Sequence, residues 1–196
     1  PARVCENLPM HDEGTAERGP RAFLPAPKAS WFILAQGSEL GHKPLARRLF
    51  GRPLVLFRGA GGRAAALSDR CPHRNVPLSL GEVKQGRLAC AYHGWEFEGD
   101  GRCAKVPCLS GATEGRGKAA QAHATREQQG FIWVWGQPDT EPTGEPHRFA
   151  KADDPSYVTT SRKVSAPATL FSTLENAPDV PHTTVLHRGL FRSESR

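Results

Sequence analysis

Apolar residues in this chain come in short runs broken by Gly- and Pro-rich segments, the pattern of strands and turns. WFILAQ (residues 31–36), PLVLFR (53–58) and AAALS (64–68) read as strands, the last two joined by a turn at Gly59 to Gly62. Pro53 is tolerated where a strand begins. Further candidates are 87–91, 95–98, 102–106, 119–126 and 131–135. Gly99-Asp100-Gly101 between two of them is a hairpin signal. Short strands at this spacing predict a mainly β, antiparallel domain over residues 30–136. Residues 1–29 lack periodicity and read as an arm. Residues 137–147 carry Pro138, Pro142 and Pro146 and read as a linker. In residues 148–196, Tyr157 to Val164 alternates like a strand, and Pro167 can open a helix that runs to about Ala177.

Composition narrows the classes. The hydrophobic fraction of 38% over 196 residues supports a core. No apolar run approaches the ~20 residues of a membrane span, and the first residues, PARVCENLPMHDEG, lack a signal-peptide core. The expectation is a soluble, cytoplasmic protein. The net charge is +6, yet Arg and Lys are scattered, as at Arg47-Arg48, Arg63 and Arg74. That favours a solvated surface over nucleic-acid binding and leaves room for docking of an acidic electron donor.

The chemistry is concentrated in Cys71-Pro72-His73 and Cys90-Ala91-Tyr92-His93, a C-x-H and a C-x-x-H sixteen residues apart. Each segment offers one thiolate and one imidazole. This is the ligand set of a Rieske 2Fe–2S centre, in which two Cys hold one iron and two His the other. The alternative is a Cys2His2 zinc module. Common zinc sites pair Cys with Cys and His with His along the chain, so the alternating order here favours iron–sulfur. Cys5, Cys103 and Cys108 are left over and read as free thiols.

With their flanks, these segments resemble the Rieske domain of the ring-hydroxylating, Rieske non-haem iron oxygenases. Cys71 through Arg74, Cys90 through Trp95, Gly99-Asp100-Gly101 and Pro107 all follow that pattern. The resemblance implies a 2Fe–2S cluster on Cys71, His73, Cys90 and His93. It also implies an antiparallel Rieske domain followed by the start, strand plus helix, of an α+β catalytic domain. Rieske proteins of the respiratory type carry an extra Cys in each loop, forming a disulfide, and a Ser after the His-Gly pair. Here Val76, Tyr92 and Trp95 stand at those places. Fewer hydrogen bonds to sulfur imply a potential near the lower end of the roughly −150 to +300 mV Rieske range.

Asp179, His182 and His187 form D-x-x-H-x-x-x-x-H, preceded by Glu175-Asn176. This resembles the segment by which the same oxygenases bind a mononuclear Fe(II). The resemblance makes His182 and His187 iron ligands and Asp179 the electron-transfer bridge, accepting from an iron-bound His and, across a subunit contact, from His93. Five residues at ~100° each set the two His ~140° apart on a straight helix, so one iron requires a break, for which Pro181 offers a place. In the family a carboxylate ligand follows far downstream. Beyond His187 the sequence offers only Glu194 as a carboxylate, and nothing in the resemblance makes it a ligand.

The family reading is therefore a whole Rieske domain with an incomplete catalytic domain. It implies a reductase or ferredoxin as donor, a small organic substrate for dioxygen-dependent hydroxylation or demethylation, and a homotrimer at full length. The chain alone is expected to hold the cluster without turning over. A stand-alone Rieske ferredoxin-like carrier is the competing class, although a carrier needs neither the linker nor Asp179, His182 and His187.

Overall fold

The run Leu54-Val55-Leu56-Phe57 is buried throughout, and its alternation explains the architecture. Successive side chains of a strand point to opposite faces. Val55 and Phe57 enter one core, with Leu67, Leu78, Leu88, Phe97, Cys71 and Cys90. Leu54 and Leu56 enter another, with Ala35, Leu40, Ile132 and Val134. A strand that reads as continuously apolar is thus shared between two cores.

The computed structural model describes residues 27–107, 118–165 and 167–187. Within them eleven strands run in chain order: β1 (Trp31–Gln36), β2 (Leu45–Leu49), β3 (Arg52–Arg58), β4 (Ala64–Ser68), β5 (Glu82–Lys84), β6 (Arg87–Ala89), β7 (Glu96–Phe97), β8 (Cys103–Lys105), β9 (Ala122–His123), β10 (Thr125–Gln128) and β11 (Phe131–Trp135). They form three sheets, ordered β1-β11-β10, β2-β3-β4-β9 and β5-β6-β7-β8. All pairings are antiparallel. The β2-β3-β4-β9 sheet lies between the other two, and the core it shares with β5–β8 holds both Cys71 and Cys90.

Several expectations change in detail. β2 and β5 were not expected. β2 reads LARRL, and its Arg47 is not a solvated surface charge: the guanidinium donates to Glu39 Oε1 at 2.7 Å and to Leu34 O at 2.9 Å. The strand expected over 119–126 is two, because the chain changes sheets at Ala124: β9 pairs with β4 and β10 with β11. Residues 157–164 form no strand; they are irregular and exposed, with no ladder partner among the described residues. The helix expected from Pro167 begins later, as α1 (Leu170–Asn176), where Thr169 Oγ1 accepts the Ser172 N–H. A second helix, α2 (Val180–Leu186), follows. Among the described residues no helix is long and apolar enough to cross a membrane.

Two compact units divide at Asp153/Asp154. The Pro-rich segment belongs to the first. Trp31 Nε1 donates to Gly144 O at 2.8 Å, and Trp135 Nε1 donates to Thr140 Oγ1. Gln129 behaves like a strand neighbour: its amide accepts from Phe149 N and donates to Phe149 O.

The Gly99-Asp100-Gly101 turn joins β7 to β8, with Glu98 N donating to Arg102 O at 2.9 Å. Gly101 has φ +83, and a Cβ there would run into the Ala120 carbonyl oxygen. Left-handed backbone alone costs an L-residue ~1–2 kcal/mol. Gly101→Ala is therefore expected to destabilise the β unit by more than about 2 kcal/mol, read as a lowered urea midpoint.

Candidate metal centre

The two Cys-His segments fold as matching loops. In the first, Cys71 N donates to Val76 O and Asn75 N to Cys71 O, both at 2.8 Å. In the second, Cys90 N donates to Trp95 O at 2.8 Å and Gly94 N to Cys90 O at 3.0 Å. Each closes through a left-handed residue four places after its Cys, Asn75 (φ 61) and Gly94 (φ 67). Asn tolerates that conformation better than other side chains, and Arg70 Nε steadies it with a 2.7 Å hydrogen bond to Asn75 Oδ1. β4 leads toward the first loop, while β6 enters and β7 leaves the second.

The loops place like side chains together. Cys71 and Cys90 are 2% and 4% exposed, side by side in the apolar core. Burial pushes the Cys71 thiol up, and so does Cys90; the N–H groups of His73 and Arg74, directed at the sulfur, pull it down. Above them the His73 and His93 rings are exposed, with centroids 4.6 Å apart. Partial loss of solvent lowers the pKa of His73, helped by His93 and Arg74. Trp95 lies flat on His73, at 4.8 Å and 5° between planes, and Tyr92 leans on His93 at 4.0 Å.

Two thiols below and two imidazoles above form a divided donor set. It fits a two-iron cluster with sulfur on one iron and nitrogen on the other. Among the described residues no group of three or more His, Cys, Asp and Glu is gathered as for a single metal ion.

Two supports, Asp69 with Ser79 and Glu96, escaped the sequence analysis, and Pro107, named there only for its place in the pattern, is a third. Asp69, 9% exposed, accepts from Ser79 N at 2.7 Å and from Ser79 Oγ at 2.6 Å, closing a clasp around the first loop. The Pro107 ring lies close against Gly94, 3.2 Å from where a Cβ would stand. Glu96, just past the second loop, is 9% exposed between Arg87 and Lys105. The Asp69–Ser79 pairing had a local signal, an Asp before the first loop and a Ser after it, but their separation hid it. Of the remaining thiols, Cys103 is buried and free; Cys5 and Cys108 lie outside the described residues.

In the second unit Asp179, His182 and His187 come together. Asp179 Oδ2 is 3.5 Å from His182 Nδ1, a buried nitrogen with no hydrogen-bond partner. The His182 and His187 rings are 5.5 Å apart between centroids. The break that allows this is not at Pro181, which sits in the first turn of α2 where its missing N–H is harmless. His187 itself leaves the helix, with φ −111 and ψ 35, and so escapes the angular separation of a straight helix. Glu194 lies outside the described residues.

Residues 30–122 match the family described as the Rieske [2Fe-2S] domain. The chain is 34% identical to the vanillate O-demethylase oxygenase subunit of Pseudomonas sp. (strain HR199 / DSM 7063), over 82% of this chain and 45% of the relative. It is 35% identical to the oxygenase component of dicamba O-demethylase from Stenotrophomonas maltophilia, over 82% and 47%. The chain thus spans about half the length of the curated relatives it matches. Among solved structures it resembles dicamba monooxygenase bound to dicamba, with TM-score 0.72, 34% identity and coverage of 82% and 48%. It also resembles NdmA of Pseudomonas putida CBB5, with TM-score 0.75, 28% identity and coverage of 85% and 52%.

The Asp69 clasp can be tested without any metal. Ser79→Ala removes one charge-assisted hydrogen bond, worth about 1.5–3 kcal/mol. It should lower the urea midpoint without changing the slope, and Asp69→Ala should lower it further. Wild-type stability in both variants would remove the clasp from the account.

Proposed function

The chain belongs to the Rieske non-haem iron oxygenases, and from that premise we propose that it receives electrons one at a time and delivers them to a mononuclear iron for oxygenation of a small organic molecule. The observation that carries this reading is the paired donor set, two buried thiols beneath two exposed imidazoles. Residues 30–136 serve as the electron-accepting domain, 137–147 as the connection, which folds back on it, and 148–196 as the opening of the catalytic domain, whose separate compact unit begins at Asp154.

Cys71, Cys90, His73 and His93 are the residues proposed to hold the cluster. A 2Fe–2S cluster supplies a one-electron store when bound. Cys71 and Cys90 offer their thiolates from inside the core, shielded from water and stray oxidants. His73 and His93 keep their rings at the surface, so a reductase or ferredoxin can approach them within electron-transfer range. The Cys71 sulfur is faced by the N–H groups of His73 and Arg74. Val76, Tyr92 and Trp95 place no aliphatic hydroxyl or extra sulfur in the loops, which supports a potential near the lower end of the roughly −150 to +300 mV range.

His182 and His187 are the proposed iron ligands. Asp179 beside His182 Nδ1 can fix that ring's tautomer and leave Nε2 to the metal, as carboxylates behind ligating imidazoles do. The same carboxylate can accept from His93 of a neighbouring copy, which calls for a ring-shaped homo-oligomer, taken as a homotrimer at full length. The relatives named for O-demethylation make hydroxylation or demethylation of a small organic substrate the proposed reaction. A reducing cytoplasm suits the free thiols of Cys71, Cys90 and Cys103.

Anaerobic reconstitution with iron and sulfide should give a coloured protein with about two of each per chain in the cluster. Cys71→Ser or His93→Ala should abolish it, and colourless protein holding one zinc would end the cluster assignment. Ferrous iron beyond the cluster should bind to wild type and be lost from the His182→Ala, His187→Ala double variant. Equal binding by both would remove these residues from the iron site.

A further inference from the structure

Trp95 belongs to the second loop, yet its indole lies on the imidazole of the first. The His73 and Trp95 rings are 4.8 Å apart between centroids and only 5° from parallel. His93 is treated differently: its aromatic neighbour Tyr92 is tilted by 45° and is itself 61% exposed. Two imidazoles of the same type are therefore held unequally.

The indole is well placed to hold a ring still. The Trp95 backbone is fixed, because its carbonyl accepts the Cys90 N–H. Its half-buried side chain packs on the core that contains Cys71 and Cys90. From that anchored base it covers one face of an exposed His. No hydrogen bond to the His73 ring is formed among the described residues, so packing alone restrains it: the His93 ring meets it at a tilt of 59°, and only the indole lies flat along its face. A ligating imidazole must aim one lone pair at its metal, and a turn about Cβ–Cγ swings that lone pair away.

Resting on the cluster assignment proposed above, we propose that Trp95 is a positioning residue for His73, fixing the imidazole's orientation and screening its face from water, and thereby helping to keep the reduction potential of the site low. Solvent access and the shell around metal ligands are levers on such potentials. One-electron reduction adds negative charge, which water stabilises better than an apolar ring does. Opening the His73 face should favour the reduced form.

The test uses the whole chain loaded with iron and sulfide, titrated with a chemical reductant, and compares wild type with Trp95→Leu and Trp95→Phe. In Trp95→Leu the equilibrium should move toward the reduced form by about two- to tenfold, the range set by one aromatic contact, or roughly 20–60 mV for one electron. Its electron paramagnetic resonance signal should change as the His73 ring reorients. Trp95→Phe keeps a flat ring and should stay near wild type in both measurements. A Leu variant identical to wild type, or a Phe variant shifted as far as Leu, would overturn the proposal. If Leu does not load, Trp95→Met replaces it. If no non-aromatic side chain permits loading, Trp95 is a core support and the proposal falls. Wild-type protein without bound iron and sulfide is a separate result, since it would sink the cluster assignment itself.

Discussion

Two thiols buried against each other are the constraint around which this molecule is organised. Cys71 and Cys90 come from loops separated by β5 and β6, and neither is close to the other along the chain. To place both at the floor of one core, the two loops must face each other, each stiffened by a bond across its mouth and by a left-handed residue at its bend. A buried sulfur that is to carry charge needs compensation. Backbone N–H groups give part of it at Cys71, and the paired donors above suit a cationic metal for the rest. The Asp69–Ser79 clasp and the Pro107 contact at Gly94 then read as devices that keep those loops from spreading.

Much of this was legible in the residues. The C-x-H and C-x-x-H segments identified the loops, and the apolar runs located β1, β3, β4 and β11 because each is long enough to show a pattern. What was missed failed for physical reasons. β5 has three residues, too few for any periodicity. β2 carries two Arg, and the inward placement of Arg47 depends on Glu39 and the Leu34 carbonyl, tertiary partners no local rule foresees. The change of sheets at Ala124 leaves no mark on composition. In 157–164 the alternation was real, but a strand exists only beside another, and none of the described residues supplies it.

The second constellation teaches a similar lesson. The spacing of His182 and His187 demanded an irregular backbone, and Pro181 drew attention as the usual cause. Proline in a first turn leaves a helix intact. The irregularity lies instead at His187, which follows the last helical position and is free of helical geometry. A residue at a helix end needs no kink to turn toward its neighbour.

β3 also makes the two halves of the β unit mechanically inseparable. Its even-numbered Leu54 and Leu56 answer to β1 and β11, while its odd-numbered Val55 and Phe57 answer to the thiol-bearing layer. A substitution on either face of this strand therefore disturbs a core of its own, while the backbone that carries it is common to both.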